Sequence, residues 1–428
     1  MLSRGRRMGK VKMEKLQGSR LARQALERTV TLIDRFGSRL VGSDACRHTA
    51  DALHAELANY TDKAVKESFW LHPGAFLGWI RILVVLYPIS LVFLWMDLPL
   101  ISLLLTSAGI LVMVLEFFLY KEIIDPIYPK AEGVNVYGTI EPEGDVRHTF
   151  LFSGHHDSAR VFNFFTNKPS LYIFRIGFGL GLYFVQLAVA LARTVGAIVE
   201  GGLFTISLPP LFYLIALIIL TLGFPLVAHL WFFASKEGTP GAGDNLIASS
   251  MALELARYLS LQKQNGHPLK HTRVIVASFD GEEAGLRGSR AFFTKHAPDF
   301  ADQSVWNFNV DCPYDAKDLF FLTSDINGSV KLSQRMATEC VNISHSMGYD
   351  AFSQPIAFLT GGTDAAEAAK VGLEAVTLMA MPWGNKGRNS VYHTPNDLPD
   401  AIDVLAVEET LSIAIKFIER LEADEIIL

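Results

Sequence analysis

Hydrophobic and polar positions along this chain follow two distinct patterns. In the first pattern the apolar run is nearly unbroken. From Ile82 to Tyr120 the chain carries few charges, and Asp97 with Pro99 divides it into halves of about 15 to 20 residues, with Trp79, Tyr87, Trp95 and Tyr120 near the ends. This predicts a membrane-crossing helical hairpin. A second block from Leu171 to Phe233 predicts another, with one span over Ile176 to Ala192 and one inside Leu203 to Phe233, separated by Arg193, Glu200 and the pair Gly201–Gly202.

Elsewhere short β-branched or aromatic runs alternate with amphipathic ones. Strands are predicted at 134–140, 148–153, 273–279, 305–310, 318–323 and 374–380, each followed by Gly, Asp or Pro turn chemistry. Helices are predicted at 18–35, 44–59, 245–262, 329–347, 363–371 and 404–422; the last sets Val404, Leu405, Leu411, Ile415 and Ile418 at helical spacing. Alternation of this kind defines an α/β domain. There is no internal repeat or low-complexity linker, so the apolar blocks read as insertions in one domain. The expected organisation is one α/β domain in pieces at 1–77, 121–170 and 234–428, with transmembrane hairpins at 78–120 and 171–233.

Composition agrees with this division. Half of the 428 residues are hydrophobic, more than one soluble core needs. The net charge of −6 and the lack of a long basic run exclude nucleic acid as the main partner. Cys46, Cys312 and Cys340 are odd in number, far apart and without CxxC spacing, which argues against a disulfide framework and against a thiolate zinc site. The basic N-terminus (Arg4, Arg6, Arg7, Lys10, Lys12) has no apolar core behind it and does not read as a signal peptide. With two crossings per block, all three domain pieces share one side of the bilayer. Arg81, Lys121, Arg160, Lys168, Arg175 and Lys236 lie mostly there, so the positive-inside rule predicts a cytoplasmic domain.

Five scattered stretches carry the chemistry: SGHHDS at 153–158, GAGDNL at 241–246, FDGEEAG at 279–285, NVDC at 309–312 and VYHTPND at 391–397. Three of them follow directly on predicted strands, and open α/β sheets bind ligands at the carboxyl ends of their strands. Carboxylates mixed with imidazoles suit a catalytic Zn²⁺ site, and five such ligands serve two metals only if one carboxylate bridges them.

The ordered set His-x-Asp, Asp-Asn in a Gly-rich turn, Glu-Glu, Asp and Tyr-His-Thr resembles metallopeptidase family 28, which contains aminopeptidases, glutamate carboxypeptidases and glutaminyl cyclases. The resemblance covers roughly residues 20–77 and 125–428 outside the second apolar block, and RLVGSDAC at 39–46 and HPGAF at 72–76 share it; the membrane insertions depart from the soluble members. It implies a mixed β-sheet flanked by helices, zinc aminopeptidase-like, here with about four inserted transmembrane helices. It further implies two zinc ions: His155 and Asp311 on one, Glu283 and His393 on the other, Asp244 bridging both. Asp157 matches the carboxylate that orients the liganding imidazole, and Glu282 the general base that moves a proton from water to the leaving amine.

His156 fills the family's variable middle position and is expected to be packed rather than liganding. Tyr392 could donate to an oxyanion or sit at a sheet edge. GGTDAAE at 361–367 occupies a region where relatives carry Ser-Asp-His; Ala365 and Ala366 depart from it and leave substrate preference open. Glu116, Gln186 and His229, in or near the spans, receive no role. The leading expectation is a membrane aminopeptidase acting on peptides. The alternatives are a single-zinc glutaminyl cyclase, a carboxypeptidase using Arg287, Lys386 or Arg388, and an inactive scaffold. A transporter is disfavoured by the lack of paired intramembrane charges. Oligomeric state is not legible.

Overall fold

The computed structural model describes residues 2–206, 208–301, 303–357, 359–382 and 391–426. The chain divides into two compact units, one formed by Met1–Pro73, Lys130–Val161 and Glu237–Leu428, the other by Gly74–Pro129 and Phe162–Lys236.

The elements in chain order are α1 (Leu2–Phe36), α2 (Asp44–Leu57), β1 (Lys63–Leu71), α3 (Gly78–Trp95), α4 (Pro99–Met113), β2 (Ala131–Ile140), β3 (His148–His155), β4 (Arg160–Phe162), α5 (Asn163–Thr166), α6 (Tyr172–Glu200), α7 (Leu211–His229), β5 (Ala234–Gly238), α8 (Ile247–Gln264) and β6 (Thr272–Phe279). There follow α9 (Arg287–Phe300), β7 (Ser304–Pro313), β8 (Leu319–Leu322), β9 (Ser324–Asp325), β10 (Val330–Lys331), α10 (Gln334–Ser346), β11 (Phe352–Gln354), α11 (Ala365–Lys370), β12 (Glu374–Ala380) and α12 (Val404–Glu422).

The larger unit is built on an eight-stranded mixed sheet in the order β1-β2-β6-β3-β7-β12-β8-β11. Its centre, β6, β3, β7 and β12, is parallel, while β1, β2 and β8 run antiparallel to a neighbour. Every residue of β3 is buried, as expected of a strand covered on both faces. Helices α8 and α12 pack on the central strands and α1 lies across both of them; α9 packs on β1 and β2, and α11 on β7 and β12. Phe417 of α12 seats its ring against Phe150 of β3 and Trp306 of β7. All six predicted strands and all six predicted helices are present; the longer additions are β1 and α9, and the short ones β4, β5, β9, β10, β11 and α5.

The smaller unit holds four helices long and apolar enough to cross a membrane: Gly78–Trp95, Pro99–Phe118, Pro169–Glu200 and Leu211–Phe232. Two features correct the sequence expectation. Helix α6 continues through Arg193 to Glu200 instead of ending before it. Arg193 is also paired: its Nε and Nη2 donate to Asp97 in the α3–α4 turn at 2.6 and 2.8 Å, and its Nη1 to Glu200 at 2.9 Å. Paired charges therefore do occur in this unit, and the α3–α4 turn meets the α6 end of the second hairpin. Between the helices, Ser90 Oγ lies 2.8 Å from Ser102 Oγ and 2.6 Å from Thr106 Oγ1, and Gln186 Nε2 donates to Ser90 Oγ and to the Tyr87 carbonyl. Glu116 accepts from the Ile124 amide, and His229 stacks on Phe164. All three polar residues left without a role serve packing.

Candidate active site

Parallel pairing of β6, β3 and β7 brings three of the motif loops to one edge. His155, the last residue of β3, pairs with Phe279, so the Asp280–Glu283 turn begins beside it; Ser153 pairs with Asn309, two residues before Asp311. Gly154 is required here, because a Cβ at that position would lie 2.4 Å from the Cβ of Ala248 in α8. At the end of β7 the register against β12 slips: Leu378 faces Val310, but Ala380 faces Pro313. The extra residue forms a bulge at Asp311–Cys312, where Cys312 has φ 51°. Bulges re-aim side chains next to sites of this kind.

The remaining acid and imidazole come from loops. Gly241, with φ +63°, turns the chain so that Asp244 precedes α8. The carboxylate of Asp397 accepts from the amides of Gly243 and Asp244 at 2.8 and 3.2 Å, and Asn245 Nδ2 donates to the Val310 carbonyl at 2.7 Å. The Asp244 turn is thereby tied both to the stretch that carries His393 and to β7. Arg39 adds a third tie. It is fully buried and donates to four carbonyls, those of His156, Gly37, Pro240 and Gly241, at 2.7 to 2.9 Å. One guanidinium thus joins the His155 loop to the Asp244 loop.

The five predicted ligands meet as two groups that share a member. His155, Asp244 and Asp311 form one, Asp244, Glu283 and His393 the other, with ligand atoms in each within 4.8 Å of one another. His155 Nε2 lies 3.4 Å from Asp244 Oδ1 and 3.9 Å from Asp311 Oδ1. His393 Nε2 lies 3.1 Å from Asp244 Oδ2 and 3.4 Å from Glu283 Oε2. The donor set fits a metal: His155 Nε2, Glu283 Oε1 and Asp311 Oδ1 are buried and hydrogen-bond to nothing in the protein, an arrangement proteins otherwise avoid.

Asp157 accepts from the amides of Glu282 and Glu283 at 3.2 and 3.1 Å, and His155 Nδ1 lies 3.1 Å from the Asp157 backbone carbonyl and 3.4 Å from its Oδ1. Asp157 therefore braces the imidazole and the Glu-Glu turn together. Glu282 Oε2 is 3.8 Å from His155 Nε2, and 10% of its side chain is accessible. Burial raises the Glu282 carboxyl well above its ordinary range; His155 lowers it, while Asp311, Asp364 and Asp157 raise it further. Burial, then Asp244, likewise raise Glu283, and Asp311 is pushed up to about 6 by burial and Asp244. For Asp244 burial acts upward, but His155 and His393 hold the carboxyl below its usual range. So many carboxylates in one buried place repel one another and call for cations.

Sequence reasoning missed Arg39, Asp364 and Asp397 as individual residues. Asp364 is buried near Glu282 and is raised to about 7, chiefly by burial. Asp397 follows His393 within one quoted stretch, a spacing that could have flagged it. His156 lies outside the five-ligand cluster, fully buried, with Nδ1 2.8 Å from Ser278 Oγ and burial lowering its imidazole to about 3. Tyr392 lies in a turn rather than at a sheet edge, stacked on His393 with ring centroids 3.9 Å apart. Arg287 is buried and donates to the Ala284 carbonyl; Lys386 and Arg388 lie outside the described residues.

Sheet order, helix placement and the acid–imidazole cluster define an α/β domain of the zinc-exopeptidase type. Residues 226–418 match the profile of Peptidase family M28. Solved structures with a similar fold include a Zn-dependent exopeptidase from Parabacteroides distasonis ATCC 8503, 14% identical, covering 93% of this chain and 97% of that one at a TM-score of 0.54. A glutaminyl cyclase from Porphyromonas gingivalis is 15% identical over 94% and 98% of the two chains, TM-score 0.54. A leucine aminopeptidase precursor from Bacteroides thetaiotaomicron VPI-5482 is 12% identical over 93% and 96%, TM-score 0.53. Among curated protein sequences none matches significantly.

Proposed function

We propose that this chain is an M28-type, membrane-embedded di-zinc aminopeptidase that hydrolyses N-terminal residues from peptides. The observation that carries the reading is the pair of three-residue groups overlapping at Asp244. His155 and Asp311 would hold one zinc, Glu283 and His393 the other, with Asp244 shared. Bound zinc would polarise the scissile carbonyl and make water nucleophilic near neutral pH. Glu282 stands beside the cluster without being needed as a ligand, and it would take the proton of the attacking water and pass it to the departing amine. Asp157 keeps the Glu282 backbone and the His155 ring in place for this transfer. The neighbouring fold holds a Zn-dependent exopeptidase and a leucine aminopeptidase precursor, which favours peptide hydrolysis at a chain end.

The four apolar helices would anchor the chain in a bilayer. An even number of crossings in each hairpin leaves the peptidase segments on one side, and the basic flanks favour the cytoplasm.

The test is metal analysis of the purified protein together with hydrolysis of aminoacyl fluorogenic substrates by wild type and Glu282→Gln. The expected result is at least two zinc ions per chain, the same number in both proteins, with kcat of the variant down by roughly 10²–10⁴-fold. Undiminished activity in the variant would overturn the mechanism. One zinc per chain with cyclisation of N-terminal glutamine would replace the aminopeptidase by a cyclase.

A further inference from the structure

A second set of metal-ligating side chains lies outside the cluster just described. Cys46, His156 and Asp280 are all fully buried, and one ligand atom from each falls within 4.8 Å of the others. They come from three separate elements: the first turn of α2, the residue after β3 and the residue after β6. His156 and Asp280 flank His155 and the Glu282–Glu283 pair. Successive side chains of extended backbone point to opposite sides, so His156 is turned away from the ligand beside it.

The surroundings hold these groups as metal ligands are usually held. A liganding histidine generally spends its other ring nitrogen on a hydrogen bond that fixes the ring. Here His156 Nδ1 is bonded to Ser278 Oγ at 2.8 Å, and buried Nε2 has no hydrogen bond. Asp280 Oδ2 accepts from the Val134 amide at 2.9 Å, and Oδ1 accepts from the Cys46 thiol at 3.2 Å, a hydrogen bond whose proton a bound cation would displace. Two ligands of one tetrahedral zinc, with bonds of about 2.3 Å to sulfur and about 2.1 Å to oxygen, lie about 3.6 Å apart. The observed separation needs only a small opening. A thiolate, a carboxylate and a neutral imidazole together neutralise a divalent cation, which suits a place closed to water.

We propose that Cys46, His156 and Asp280 form a third metal site, taking one zinc-like divalent cation through sulfur, nitrogen and oxygen. The cation would clip α2 to the ends of β3 and β6, behind the loops that carry His155 and Glu282–Glu283.

Cobalt substitution tests this in the full chain, because a cobalt–thiolate pair absorbs in the near ultraviolet and none of the five ligands at the other site is a thiolate. Cobalt-loaded wild type is expected to show that band. Cys46→Ser and His156→Gln should each abolish or shift it, Cys312→Ser should keep it, and Cys46→Ser should bind one metal equivalent fewer than wild type. Absence of the band in saturated wild type overturns the proposal without recourse to any variant. Survival of the unchanged band in Cys46→Ser, or its loss in Cys312→Ser alone, overturns it as well. The band is independent of whether the other cluster binds one metal or two.

Discussion

The two units treat buried charge in opposite ways. In the helical unit Asp97, Arg193 and Glu200 satisfy one another, and Glu116 accepts from a backbone amide. In the larger unit Asp244, Glu283 and Asp311 crowd together, and His155 Nε2, Glu283 Oε1 and Asp311 Oδ1 are buried without a hydrogen bond from the protein. A buried polar group left without a hydrogen bond costs on the order of 1–3 kcal/mol, and an ionised one costs more. A fold keeps several such groups in one place only when something else pairs with them. Charges of the first kind serve architecture and those of the second serve chemistry. This comparison separates the two roles without recourse to conservation.

The largest expected effect comes from removing the group that both halves of the cluster share. Asp244→Asn replaces one carboxylate oxygen of each three-residue group with a poorer donor. The loss of zinc affinity should exceed the roughly 10–100-fold typical of removing a residue that only supports a ligand. Both metals should be affected, not one. Chelator competition with a fluorescent zinc indicator measures this; loss of a single equivalent with the other unchanged would show that Asp244 does not bridge.

Arg39 should give the next effect. It touches no ligand side chain, yet it ties the carbonyl of His156 to those of Pro240 and Gly241, on either side of the interval that contains the second pair of apolar helices. Arg39→Ala is expected to lower zinc affinity by about 10–100-fold. Arg39→Lys should not restore it, because an ammonium offers a point charge in place of a planar fork of five donors. Full rescue by lysine would mean that only the charge matters there.

Legibility in the sequence followed the kind of force at work. Strands β3, β6, β7 and β12 are continuous apolar runs and could be read within a few residues. Strand β1, KAVKESFWL, is an edge strand whose residues are mostly half-buried or exposed, and its mixed charges hid it. Helix α9 was hidden because it starts after Leu286 at φ 61° and buries a narrow face, chiefly Phe292, Phe293 and Phe300. The seven residues proposed for the site sit in local motifs, which is why they could be picked out from the sequence. Arg39 was not, since its partners are backbone carbonyls, three of them 117, 201 and 202 residues away, and backbone has no letter in a sequence. The extent of α6 was misjudged for a related reason: Arg193 breaks an apolar pattern, but its partner Asp97 lies 96 residues earlier.

The smallest effect tests the other side of the comparison. Ser90 Oγ stands between Ser102, Thr106 and Gln186, so it links α3 to α4 and α6 by neutral hydrogen bonds alone. If these contacts are architectural, Ser90→Ala should lower the stability of the detergent-solubilised protein by about 0.6 kcal/mol and at most about 1.7 kcal/mol, the range of hydrogen bonds between helices in lipid-like surroundings. Zinc content should not change. A small effect is the informative one here, because the three remaining hydroxyl and amide groups can rearrange among themselves. A stability loss several times larger, or any loss of zinc, would show that the polar groups between the helices do more than join them.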